Sequence, residues 1–154
     1  MVTLQEWYSR TGVRLRALYC RFGQNLTFIK SQTERQRSMA IVSTDNSAHY
    51  EWGDGCDGWH LVRTPALSVI KEKVPSGREE IRHYHNQSEQ FFFVLEGIAS
   101  IEVNGVMHQV RSQQGIHIEA GIAHQLRNNQ DGDLIFIVTS TPPSHGDRVE
   151  AHKT

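Results

Sequence analysis

The sequence predicts an all-β domain, an antiparallel sandwich or barrel, on three observations. From about Trp59 onward, short runs rich in β-branched and aromatic residues follow one another: WHLVRT, LSVIKEKV, HYH, EQFFFVL, IASIEV, VMHQV, GIHI, HQLRN and LIFIVTS. Turn residues separate them (Pro-Ser-Gly, Glu-Gly, Asn-Gly, Gln-Gln-Gly and Asp-Gly-Asp), and no long helical pattern intervenes. Asn104-Gly105 lies between two alternating runs, the signature of a two-residue hairpin whose central positions both need positive φ.

The elements follow in order. Residues 1–38 form an atypical N-terminal extension, in which Leu4, Trp7, Tyr8, Leu15, Leu18, Tyr19 and Phe22 fall roughly at helical spacing, interrupted by Gly12. This stretch carries seven Arg/Lys against two Glu, a balance of +5, while the remainder balances at −6. It reads as a peripheral helix or an extension outside the functional domain, with Met39 as an alternative start. A transit peptide or a nucleic-acid arm has the same composition. Residues 39–154 are the expected domain. In EQFFFVL, alternation puts Gln90, Phe92 and Val94 on one face and Glu89, Phe91, Phe93 and Leu95 on the other, apolar on both sides. The polar, Pro-containing tail from Thr141 is expected to run over the surface.

Composition bounds the function. At 154 residues the chain is long enough for one domain with its own core. A net charge of −1 gives no electrostatic case for nucleic acid or an anionic membrane, and no helix-turn-helix pattern accompanies the basic start. No apolar run approaches the ~20 residues that cross a bilayer. Cys20 and Cys56 stand far apart and make no disulfide framework, so a cytoplasmic setting is expected.

The chemistry lies in the histidines. His83 and His85 alternate along one strand and therefore point the same way, and His124 follows in GIAHQLRN. Neutral imidazoles grouped in this way are ligands for transition metals. The spacing runs Gly77-x5-His83-x-His85-x4-Gln90-x6-Gly97, and after 15 residues Gln113-x5-Glu119-x-Gly121-x2-His124-x3-Asn128. This resembles the two-part motif of the cupin superfamily over roughly residues 60–140. The resemblance implies a cupin-type double-stranded β-helix (a jelly-roll barrel), a homodimer, and a divalent transition metal such as iron, manganese, nickel or zinc.

The chain departs from the motif at three positions. Counting back from Gly97, the usual glutamate ligand is replaced by Gln90, and a bulge at Ser88 would bring in Glu89 instead. Gln113 and Glu119 stand at a turn glycine and a proline. The expected site is thus His83, His85 and His124 with Gln90 as a weak or outer ligand, a neutral set that favours an anionic ligand in the open positions. Arg63, Arg82 and Arg127 are candidates for holding a carboxylate. His117 is a candidate second partner, and Glu89, Glu119 and His117 are candidate bases. The functional expectation is an enzyme acting on a small, oxygen-rich anionic metabolite, of dioxygenase or isomerase/lyase type. A non-catalytic module that binds or senses a small molecule is the alternative.

Overall fold

The computed structural model describes residues 41–151, so the expectations for residues 1–38 lie outside the described part. Among the described residues the chain forms strands and no helix. They are β1 (Ala48–Trp52), β2 (Cys56–Arg63), β3 (Ser68–Val74), β4 (His83–His85), β5 (Glu89–Glu96), β6 (Ile98–Val103), β7 (Val106–Arg111), β8 (Gly115–Ile118), β9 (His124–Arg127), β10 (Leu134–Thr141) and β11 (Arg148–Glu150). One sheet has the order β1-β2-β3-β10-β5-β8 and the other β11-β4-β9-β6-β7, with every pairing antiparallel. This is the expected double-sheet architecture.

Alternation builds the core. Inward residues of β3 (Ile70, Val74), β5 (Phe92, Val94) and β10 (Leu134, Phe136, Val138) meet Ala99, Ile101 and Leu126 of the opposite sheet. The Asn104-Gly105 turn has φ of 48° and 87°, as a type I′ hairpin requires. Gln113, standing where the motif has glycine, takes φ of 64°, so the left-handed turn survives the substitution.

Two strands escape the sequence reading, and both flank the cavity. β1 is short and polar, with only Tyr50 and Trp52 turned to the core. β11 has three residues and pairs with β4, Arg148 opposite His85 and Glu150 opposite His83. The expectation that the tail simply crosses the surface is therefore corrected. Ser144 is buried, and the chain folds back to close one side of the histidine strand. A run of three residues with one apolar member has no periodicity from which to read it.

Candidate metal centre

β4 and β9 bring the three histidines together. His83 pairs with His124 in the ladder, and His85, two residues along β4, shares their face. All three are buried, with 3, 5 and 1% exposure for His83, His85 and His124. One ring nitrogen from each lies within 4.8 Å of the others. The His83 and His124 rings stand 4.4 Å apart, and Phe92 meets His124 edge-on at 5.9 Å.

Backbone carbonyls set the tautomers. His83 Nδ1 donates to Ile81 O at 2.8 Å and His124 Nδ1 to Ile122 O at 3.0 Å, which leaves each Nε2 as the lone-pair nitrogen. Burial, then the neighbouring imidazoles and Arg148, pushes His83 down to about 3. Burial likewise lowers His124 to about 4 and depresses His85. At neutral pH the three are uncharged and able to ligate.

The residues fit a metal on a specific observation. His124 Nε2, both ring nitrogens of His85, and Gln90 Oε1 are buried without a hydrogen-bond partner. Buried polar atoms of this kind cost about 1–3 kcal/mol each unless something satisfies them. Gln90 points inward, as strand alternation predicts: it is 6% exposed, and its Nε2 donates to Ser140 Oγ, which donates to Ser144 Oγ. That relay turns the amide oxygen toward His85. Glu89 is exposed and outward, where its carboxylate meets His117 Nε2 at 3.0 Å.

Several candidates lie elsewhere. Glu89, His117 and Glu119 are exposed and do not line the cavity. Arg82 is held by Glu102, and Arg127 by Glu79 and Gln125; Arg63 is exposed and does not line the cavity. The cavity, about 450 Å³, is instead walled by Tyr50, Glu72, Glu80 and Arg148 together with His83, His85 and Gln90. Arg148 donates to Ile81 O at 2.8 Å, and its charge depresses all three histidines and both carboxyls.

Burial, then the charge of Glu80, raises Glu72 to about 8; burial raises Glu80 to about 7. Glu72 was legible in principle. In LSVIKEKV it shares a face with Ile70 and Val74, so alternation points a carboxyl inward. Tyr50 and Arg148 carried no comparable signal, since their strands were not foreseen.

The Cupin domain family model matches residues 71–140. Two relatives come from Streptomyces. The chain is 31% identical over 87 residues to Protein SchB of Streptomyces halstedii, covering 53% of this chain and 63% of that protein. It is 29% identical over 69 residues to Polyketide synthase CurC of Streptomyces cyaneus, covering 44 and 45%. The matched segment thus spans less than two thirds of either relative. Among solved structures, KdgF from Halomonas sp. superposes with a TM-score of 0.63 at 16% identity, covering 68% of this chain and 94% of that one. An RmlC-like cupin from Shewanella frigidimarina gives 0.61 at 20%, covering 67 and 90%. These structures share the fold. The family match falls on β3 to β10, the strands that carry the histidines, so residues 71–140 of the chain form a cupin domain.

Proposed function

We propose that this protein is a metal-dependent enzyme acting on a small, oxygen-rich, anionic metabolite, with His83, His85 and His124 as metal ligands and Gln90 as a weaker one. The observation that carries this is the cluster of three buried histidines with unpartnered ring nitrogens on His85 and His124, of which His83 and His85, with Gln90, line the cavity. A bound divalent transition metal would supply Lewis acidity toward a substrate oxygen or, if it is iron, a site for dioxygen chemistry. The ligand set adds no charge of its own, so an anion is not repelled by a ligand carboxylate. Arg148, on the cavity rim, is the cation placed to meet a substrate carboxylate, in place of the arginines expected from sequence. Ile70 and Val138 supply apolar wall. The name of one relative, a polyketide synthase, supports an oxygen-rich substrate, because polyketide chains carry repeated carbonyl groups.

Metal analysis of the protein purified without added metal, then after reconstitution, tests the centre. About one divalent ion per chain is expected, and its loss in His85→Ala; failure to bind a transition metal even after reconstitution would sink the reading. The same proposal includes a homodimer through the outer face of β5, where Phe91 stacks on Phe93 and is 41% exposed. Light scattering reads this directly, with a monomer at micromolar concentration as the contrary result.

A further inference from the structure

A row of side chains crosses β1, β2 and β3 on the cavity side. The registers set Tyr50 opposite Gly58, and Gly58 opposite Glu72. The Tyr50 ring lies over Gly58: a Cβ there would fall 2.7 Å from the phenol oxygen and closer still to ring carbons. That hollow lets the phenol span the middle strand and donate to Glu72 Oε1 at 2.9 Å. Glu72 Oε2 is then the place for a carboxyl proton. Glu80, in the segment before β4, lines the same cavity, and its Oε2 accepts from Leu126 N at 3.4 Å. Two carboxyls in distinct environments therefore face the space that His83 and His85 face.

We propose that Glu72 is the proton donor and Glu80 the proton acceptor for a substrate in this cavity, that Tyr50 is a positioning residue for Glu72, and that the reaction is a non-oxidative proton shift on a small keto acid. This rests on the metal-dependent reading above and selects the isomerase/lyase branch. The Glu80 carboxylate takes a proton from the carbon beside the substrate carbonyl. The C–H pair becomes a C=C bond, the carbonyl π pair moves to oxygen, and that oxygen takes the Glu72 proton. On return the enol oxygen gives its proton back to Glu72, and Glu80 delivers its proton to the same carbon or a conjugated one. No electrons leave the substrate and no oxidant is consumed.

The surroundings match these roles. The charged and titratable groups acting on Glu72 are Tyr50 from β1, Glu80, and Arg148 from β11, while Cys56 of β2 feels Glu72 in turn. Burial holds Glu72 protonated to about 8, whereas Arg148 and the Leu126 N–H keep Glu80 lower, at about 7. Near neutrality Glu72 is mostly the acid form while about half of Glu80 is carboxylate, so the two divide the roles of donor and acceptor.

The test uses the full-length, metal-loaded protein in D2O with 2-oxobutanoate as probe, following loss of the C3 hydrogens by NMR. Wild type is expected to exchange them. Glu72→Gln and Glu80→Gln are each expected to slow exchange about a hundredfold, the typical contribution of a positioned acid or base, with metal content unchanged. Exchange within about threefold of wild type in either variant overturns the proposal, as does a wild type that does not exchange the probe. His85→Ala separates the two readings: exchange that survives without metal rejects the metal-dependent reading and leaves the carboxyl pair standing. Infrared spectroscopy gives a readout independent of substrate. The protonated carboxyl band at pH 7 should lose its larger part in Glu72→Gln and keep only the share of Glu80. In Tyr50→Phe it should persist to higher pH, because the lost hydrogen bond favours the ionised form. A band unmoved in Tyr50→Phe removes the positioning role.

Discussion

Replacing Glu72 by Gln changes the electrostatics of the cavity while keeping its shape. Glu72 is 7% exposed and points inward between Ile70 and Val74. Its carboxyl rises from 4.5 to about 8 on folding, first through burial and then through Glu80. A group whose folded pKa is raised contributes its stability in full below the unfolded pKa and loses it as pH climbs through the folded value. The gap between 4.5 and about 8, at about 1.4 kcal/mol per pH unit, amounts to about 5 kcal/mol, of which about 3 is gone by pH 7. Glutamine has no proton to lose and still offers an oxygen to Tyr50 Oη. The variant should match wild type within about 1 kcal/mol at pH 5, exceed it by about 3 at pH 7, and by about 5 at pH 9. Urea unfolding of both proteins in chelator, at these three pH values, reads the difference. His83, His85 and His124 have depressed pKa values and lose stability as pH falls below 6.5. That loss is common to both chains and cancels in the difference. A stability difference that does not change with pH would refute the reasoning, because it would mean that Glu72 ionises in the folded state as easily as in the unfolded chain.

Three further outcomes follow from the geometry. Gln90→Glu puts a carboxylate at a 6% exposed position beside His85 and should tighten metal retention by at least about tenfold in chelator competition; an unchanged affinity shows that Gln90 does not ligate. Glu89→Ala with His117→Ala removes an exposed pair on the outer face. It should leave metal content unchanged and stability within about 0.5 kcal/mol, whereas loss of metal would return Glu89 to the ligand set. Asn128→Ala deletes a buried amide whose Nδ2 donates to Val74 O and Gly132 O and whose Oδ1 accepts from Gln130 N. Thermal or urea unfolding should show a loss of about 3 kcal/mol, and a loss below about 1 would mean that the loop re-forms its bonds without it.

What could be read from the sequence tracks where periodicity is strong. EQFFFVL and LSVIKEKV are long enough for alternation to fix which residues face inward, and for Gln90 and Glu89 that pattern agrees with the count back from Gly97: Gln90 is buried and Glu89 exposed. The histidines were legible because two lie on one strand at spacing two and the third recurs at motif distance. Arg148 was not, because its role depends on a three-residue strand pairing across 63 residues with His85. Nor was Tyr50, whose function comes from a missing side chain on the next strand, Gly58. A motif reading gathers the three histidines and passes over the opposite wall, where Tyr50, Glu72 and Glu80 line the cavity.

That opposite wall alters the argument about substrate charge. Three imidazoles and an amide add nothing to a divalent ion's charge, which by itself favours an anion. Glu72 and Glu80 would undo this if both were ionised, since each carboxylate repels a bound anion by on the order of 2 kcal/mol at the effective dielectric of a protein site. Burial prevents it: with Glu80 at about 7 and Glu72 at about 8, at least one proton remains on the pair for most molecules at pH 7. Arg148 offsets the charge that develops. The cavity thus accepts an anion at and below neutrality and turns against it as the second proton leaves. A small dicarboxylate such as oxalate should bind the metal-loaded protein at least about tenfold more weakly at pH 9 than at pH 6.5, and Glu72→Gln should abolish most of that loss. Equal weakening in wild type and variant would place the repulsion at the metal and not at the carboxyls.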